Sequence, residues 1–187
     1  MFDLCRVFTD GTCTNIAGSG TEANRNNFYP RSASFAQPSG LTYCPKLDEV
    51  FIADSESSSV RSLSLKTGRV SAVVGGSKTP DVSNKLYMMV LKLFFFCLPI
   101  CFVLLELLQD LFSFGDIDGN GFNVKLQHPL GVAWHDKSES LFVADSYNHK
   151  IKIVNTTVKS CIAYIGTGKP GKLISGLKSQ VCPPHQS

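Results

Sequence analysis

Residues 116–121 carry oxygen-bearing side chains at alternate positions, an arrangement that suits a hard cation such as Ca²⁺. The sequence DIDGNG matches the first six positions of an EF-hand loop, with Asp116, Asp118 and Asn120 as the candidate ligands. The twelfth position of such a loop is normally a bidentate Glu, but here it is Gln127, and no amphipathic helix flanks the segment. We therefore expect a polar turn, and we assign neither a metal nor another cofactor to the chain.

Two aspartates and three histidines are the other candidates for catalysis or metal binding. Asp54 and Asp145 each follow a short apolar segment and precede a polar turn, a position where a carboxylate accepts backbone hydrogen bonds. His149 lies in one of these turns, and His128 and His135 do not have the spacing of a metal triad. We expect structural roles for all five residues and assign no catalytic residue, so the chain is not expected to be an enzyme.

The spacing of the cysteines and the composition of the first residues indicate which class of protein to expect. The 187 residues include seven cysteines, but there is no C-x-x-C or H-x3-H spacing, which leaves a zinc site unsupported. Residues 1–10 lack the basic start and apolar core of a secretory signal. We therefore expect reduced thiols in a cytosolic protein.

Basic residues offer a candidate nucleic-acid surface. The formal net charge is only +3, which does not favour nucleic acid as a partner. Acidic residues are interspersed and no aromatic stacking platform is present, so solvated strand edges are expected instead. The candidate residues for such a face are Arg61, Lys66, Lys150, Lys152 and Lys159.

An internal repeat with an offset of 91 residues organises the chain. Each copy contains four short apolar or alternating segments separated by polar turns, which predicts four strands per copy. The predicted strands are 41–44, 50–53, 60–65 and 69–74 in the first copy, and 132–134, 141–144, 150–154 and 161–165 in the second. The repeat motif comprises Pro38, Gly40, Asp54, Ser55, Pro129, Gly131, Asp145, Ser146, Asn148 and His149.

A four-stranded unit of about 40–45 residues is typical of a β-propeller blade. The lead-in QPSG, the strand ends IADS and VADS and the sequence NHKI resemble NHL repeats, a β-propeller family. The first copy departs from the motif, because Ser58 and Ser59 stand where the second has His149 and Lys150. The resemblance predicts an all-β fold, a partial NHL propeller of about two blades.

The resemblance also implies a cellular context and a function. Relatives of this kind are expected in the cytosol, with an N-terminal thioredoxin-like domain, a six-bladed propeller and a C-terminal β domain. The implied function is non-catalytic binding of proteins through the propeller loops. The alternatives are part of a redox protein whose catalytic domain is absent here, an RNA-binding NHL propeller, and a single-pass membrane protein.

Residues 82–109 form an apolar insert between the two copies. Lys92 and Glu106 are the only charged residues from 86 to 108, so this stretch is a candidate for a membrane-spanning helix. A span would place the two blades on opposite sides of a membrane, although blades need neighbours on the same side. A buried helix is a further alternative. We favour a translated intron or gene-model error, because Val82-Ser83 and Gln109 can be encoded by splice-site sequences.

These observations divide the chain into five segments. Residues 1–34 are expected to be the end of a preceding blade followed by a loop, and residues 35–81 the first blade. Residues 82–109 are the insert, for which a helical conformation is expected. Residues 110–168 are an inter-blade loop and the second blade, and residues 169–187 a disordered tail.

Overall fold

The computed structural model describes residues 2–76 and 113–170, and this part of the chain is all-β, as the sequence predicts. It contains no α-helix within those ranges, only single turns of 3-10 helix. The strands are β1 (Leu4–Val7), β2 (Cys13–Ala17), β3 (Pro38–Cys44), β4 (Glu49–Asp54), β5 (Ser59–Ser64), β6 (Val70–Gly75), β7 (Gly119–Asn120), β8 (Pro129–His135), β9 (Ser140–Asp145), β10 (Lys150–Asn155) and β11 (Ser160–Ile165).

The helical insert predicted at residues 82–109 lies outside the described residues, as does most of the tail predicted at 169–187. In the part of the chain that is described, no helix is long and apolar enough to cross a membrane.

The first blade is an antiparallel meander in the order β3-β4-β5-β6. The turns between its strands place Asp48, Ser58 and Gly68 at positive φ, with values of 55°, 49° and 75°. Short turns of this kind need one residue in the left-handed region, which Gly adopts at least cost. Strand β3 begins at Pro38, three residues before the predicted start, because a bulge lets the Pro38–Gly40 segment continue along β4.

The second blade repeats this geometry in the order β8-β9-β10-β11. Glu139, His149 and Lys159 have φ values of 47°, 52° and 56°, and each is 91 residues after its counterpart in the first blade. The sequence predicts four strands in this sheet, but the sheet has five. The two-residue strand β7 pairs with β11 because the inter-blade segment folds back along that outer edge.

Strands β1 and β2 form a separate antiparallel hairpin ahead of the first blade. The segment between β2 and β3, which is predicted to be a loop, is not fully exposed, because Asn24, Ala33 and Ser34 are buried. The hairpin places Leu4 and Ala17 in a core that includes Ile52 of the first blade.

A second core joins the two blades. Phe51 of the first blade stacks on Trp134 of the second, with ring centroids 5.7 Å apart, within a cluster that contains Val60, Leu141 and Val143. Together with the hairpin core, this packing covers both faces of the first blade. The arrangement is that of consecutive propeller blades, each presenting a face to its neighbour.

Candidate interaction surface

The Asp54 carboxylate is held by hydrogen bonds at the end of β4. The backbone N–H groups of Ala36 and Gln37 donate to it at 2.9 and 2.7 Å, and the Ser57 hydroxyl donates at 2.8 Å. The Arg61 guanidinium lies 3.6 Å away, and both side chains are fully buried. Burial raises the pKa of Asp54, while Arg61 and the hydrogen bonds act in the opposite direction.

The Asp145 carboxylate occupies the same place in the second blade. It accepts hydrogen bonds from the Gln127 backbone N–H at 2.7 Å and from the Asn148 amide at 2.8 Å. The Lys152 ammonium lies 3.6 Å away. Each of these three partners is 91 residues after its counterpart around Asp54. Neither carboxylate is placed to act on a substrate, because both are enclosed and engaged within their blades.

The burial of Arg61 and Lys152 corrects the expectation of solvated strand edges at these positions. Both side chains have no exposed surface, so neither can contribute to a basic face. Arg61 donates to the side chains of Asn24 and Asn26 at 2.8 and 2.9 Å. These bonds fix the segment between β2 and β3 against the first blade. The Lys159 ammonium donates to the carbonyl of Ala72 at 2.9 Å, across the two blades.

The loop that resembles a calcium site is occupied by lysine side chains. Lys152 Nζ lies 3.0 Å from Asp116 and 3.1 Å from Asp118, and Lys150 also pairs with Asp116. Although burial opposes ionisation, hydrogen bonds from the two lysines hold the pKa of Asp116 below its usual value. Asn120 is an exposed residue of β7. Among the described residues, no three His, Cys, Asp or Glu side chains are grouped to hold a metal ion.

The recurring serines, prolines and glycines lie in the blade framework. Ser55 donates to the Gln37 carbonyl at 3.1 Å, and Ser146 to the Ala144 carbonyl at 3.2 Å. Pro38 and Gly40 begin β3, and Pro129 and Gly131 begin β8. At Gly40 the neighbouring blade comes so close that a Cβ atom would meet the Leu130 carbonyl oxygen at 2.7 Å.

A mixed polar and aromatic surface lies where the turns of the two blades meet. Glu56 Oε1 is 3.4 Å from His128 Nε2, and the rings of His128 and Tyr147 are 4.4 Å apart. Tyr147 is 60% exposed, and His149 is exposed in the same turn. We call these four residues, Glu56, His128, Tyr147 and His149, the blade-end surface.

Of the four residues in the blade-end surface, the sequence motif contains only His149. Glu56 and Tyr147 are missed, although they occupy one equivalent position, 91 residues apart. The difference between the two repeats could have pointed to these residues, because a repeat position that changes from Glu to Tyr is not fixed by the blade framework. Exposed positions that differ between repeats are therefore the ones to inspect for binding.

Comparison with curated proteins confirms the resemblance seen in the motifs. The chain is 46% identical to human NHL repeat-containing protein 2 over 169 residues. The aligned region covers 89% of this chain and 19% of that protein. The chicken protein of the same name is 44% identical over 172 residues, or 91% of this chain and 20% of that protein. The chain thus spans about a fifth of the length of these relatives. No family model matches the chain.

A plant protein and two bacterial structures are also similar. The Arabidopsis thaliana protein SUPPRESSOR OF QUENCHING 1, chloroplastic, is 40% identical over 87% of this chain and 13% of its own length. A Bacteroides ovatus auxiliary nutrient binding protein has a TM-score of 0.54 at 14% identity, covering 88% of this chain and 33% of its own. A Bacteroides thetaiotaomicron protein of unknown function has a TM-score of 0.53 at 17% identity, covering 85% and 28%. These structures share the fold alone.

Proposed function

Because this chain resembles a segment of NHL repeat-containing protein 2, we propose that it is a non-catalytic NHL-repeat module that binds a protein partner through the blade-end surface. The cytosol is the location that the resemblance favours. The single observation that carries the proposal is Tyr147, an exposed ring held against His128, which in turn contacts Glu56 of the other blade.

The chemistry of this surface suits a protein partner. Tyr offers a large contact area with few rotatable bonds and a hydroxyl for hydrogen bonding, and it is enriched at protein interfaces. The His128 contact limits the freedom of the Tyr147 ring, which lowers the entropy lost on binding. Residues from both blades contribute, so the surface depends on their stacking.

The carboxylates do not support a catalytic alternative. Asp54 and Asp145 are buried and bonded within the blades. Asp116 and Asp118 are paired with Lys152. We therefore propose that the chain binds a protein partner and does not catalyse a reaction.

Site-specific photocrosslinking in cells tests the proposal. A benzoylphenylalanine at position 147 of the full chain is expected to capture a discrete partner, and the same residue at position 66 is the control. Lys66 is exposed in the turn between β5 and β6, at the opposite end of the blades from Tyr147. Equal capture at both positions, or none at 147, would contradict the proposal.

A substitution measures the contribution of Tyr147 to that binding. Tyr147→Ala is expected to weaken partner binding at least tenfold, as at other interface tyrosines that carry much of the binding energy. Thr157→Ala, at an exposed turn position, is the matched control and should leave the affinity unchanged. Equal affinities of the two variants would exclude Tyr147 as a contact.

A further inference from the structure

The face of the first blade that packs on Trp134 changes from apolar to polar towards the outer strands. In the strand register Phe51 pairs with Ser62 and Ser62 pairs with Ser71, and Glu49 is two residues before Phe51 on β4. Directly opposed residues, and residues two apart on a strand, share one face of a sheet. The polar side chains therefore lie beside the aromatic contact between the blades, on the same face.

These polar side chains line a cavity whose other wall is the second blade. The cavity has a volume of about 240 Å³, with Glu49, Ser62 and Ser71 on the first blade and Lys159 on the second. The Lys159 ammonium donates to the Ala72 carbonyl at 2.9 Å. Because an ammonium has several N–H donors, this bond leaves others for a ligand.

A second cavity adjoins the first, since both are lined by Glu49 and Ser71. It has a volume of about 450 Å³ and contains Arg69, whose guanidinium lies 4.5 Å from the centre of the Phe28 ring. No ion pair between residues that the structure describes includes Glu49 or Arg69. We call the two cavities together the outer groove. Its charges are positive at Lys159, negative at Glu49 and positive at Arg69.

The repeat shows that the blade framework does not require serines in this groove. Ser62 and Ser71 pair with each other, and their hydroxyl oxygens are 3.1 Å apart. The second blade has Ile153 and Ile162 at the equivalent positions, paired in the same register. Since an apolar pair fits these strands, the fold alone does not account for the two hydroxyls.

The surroundings of Glu49 favour a positively charged ligand group. Burial is the main reason why the pKa of Glu49 lies above its ordinary value, and the positive charge of Lys159 acts in the opposite direction. A partly desolvated carboxylate is stabilised by a further cation that donates hydrogen bonds to it. An ammonium group in the groove would therefore be held by Glu49.

We propose that the outer groove binds a free acidic amino acid such as L-glutamate. The ligand ammonium pairs with Glu49, the α-carboxylate with Lys159 and the side-chain carboxylate with Arg69. In such a ligand the ammonium is attached to a carbon between the two carboxylates, so its order of charges is complementary to that of the groove. The hydroxyls of Ser62 and Ser71 offer additional hydrogen bonds.

The size of the groove favours a small molecule over a segment of another protein. The first cavity, of about 240 Å³, is smaller than the roughly 300–1,000 Å³ that is usual for drug-sized ligands. An amino acid of a few carbon atoms suits this volume and extends its side chain into the second cavity. The outer groove shares no residue with the blade-end surface, so this binding is independent of the proposed protein partner.

Equilibrium dialysis of the full chain with radiolabelled L-glutamate tests the proposal. Unlabelled L-glutamate should compete at least tenfold better than N-acetyl-L-glutamate, which has both carboxylates but lacks the ammonium. L-Glutamine should compete severalfold less well than L-glutamate, because it lacks the charge that pairs with Arg69. The absence of saturable binding, or equal competition by N-acetyl-L-glutamate, would overturn the proposal.

Replacing the two serines by their counterparts in the second blade tests the location of the site. The double variant Ser62→Ile, Ser71→Ile removes both partners of one hydrogen bond, which costs little stability, and the cavity has space for the larger side chains. It should lower the affinity for L-glutamate at least tenfold, as should Glu49→Gln. Glu22→Gln, at an exposed position outside the groove, is the matched control. Wild-type affinity in either groove variant would contradict the site.

Arg69→Gln tests where the side-chain carboxylate binds. The affinities for L-glutamate and L-glutamine should become nearly equal in this variant, because the charge that distinguishes them is absent. Lys66→Gln, in the preceding turn and outside the groove, should retain the wild-type preference. An unchanged preference in Arg69→Gln would contradict the assignment of Arg69.

Discussion

The Asp54 carboxylate lies 3.6 Å from the Arg61 guanidinium, and neither side chain has any exposed surface. The second blade contains the same relationship, with Asp145 3.6 Å from Lys152. In both blades the aspartate ends the second strand and the cation lies on the third. A buried ion pair with additional hydrogen bonds is thus a repeated element of the blade framework.

Asp54→Asn removes the negative charge but nearly conserves the side-chain volume. Arg61 would remain buried beside a neutral amide, and breaking a buried pair in this way costs about 3–5 kcal/mol. Urea denaturation is expected to show a loss of this size, whereas Glu22→Gln, at an exposed position, should change stability by less than about 0.5 kcal/mol. Similar losses in both variants would rule out a special role for the pair.

Acid should weaken the contacts between Asp116 and the two lysines. The pKa of Asp116 is lowered in the folded state from an ordinary value of 3.8, so its ionisation stabilises the fold above that pH. The contribution is lost as the pH falls through the folded-state pKa. The stability difference between the wild-type chain and Asp116→Asn should therefore be larger at pH 6 than at pH 3, by denaturant titration. A difference that grows towards pH 3 would contradict the assignment.

Gly40 and Gly131 occupy equivalent positions but should respond differently to Ala. A Cβ atom at Gly40 would meet the Leu130 carbonyl oxygen at 2.7 Å and the Gly131 Cα atom at 2.8 Å, whereas at Gly131 the nearest atom is Ala144 Cβ at 3.8 Å. Gly40→Ala is expected to cost about 1–3 kcal/mol, because it forces the inner strands apart. Gly131→Ala should be close to neutral in the same unfolding measurement. Equal costs would show that β3 and β8 do not approach closely.

The alternating pattern and turn residues were sufficient to predict the eight strands of the two blades. Strand β7 could not be predicted, because Gly119 and Asn120 have turn chemistry and their pairing with β11 depends on tertiary contacts. Strand β1 also lacks a clear apolar alternation.

The burial of the charged side chains of Arg61 and Lys152 is the feature of the candidate site that the sequence predicts least well. Arg61 and Lys152 alternate with apolar residues in their strands, a pattern that favours exposure in a sheet with one solvated face. Stacked blades cover that face, so both cations are enclosed. Each is paired with the aspartate that ends the preceding strand, and Lys152 is also paired with Asp118 of the inter-blade segment. The alternation of polar and apolar residues along one strand does not show whether a neighbouring blade covers its polar face.

The two repeats stack as adjacent blades through the rings of Phe51 and Trp134. Trp134 is the single tryptophan of the chain, so its fluorescence reports on this contact during urea unfolding. Phe51→Ala removes a fully buried ring and should cost about 3–5 kcal/mol, with a red shift of the Trp134 emission in the folded state. Leu41→Ala, at a residue that is 54% exposed, should preserve both the emission and the unfolding midpoint. Unchanged emission and an unchanged midpoint in Phe51→Ala would contradict the stacked arrangement.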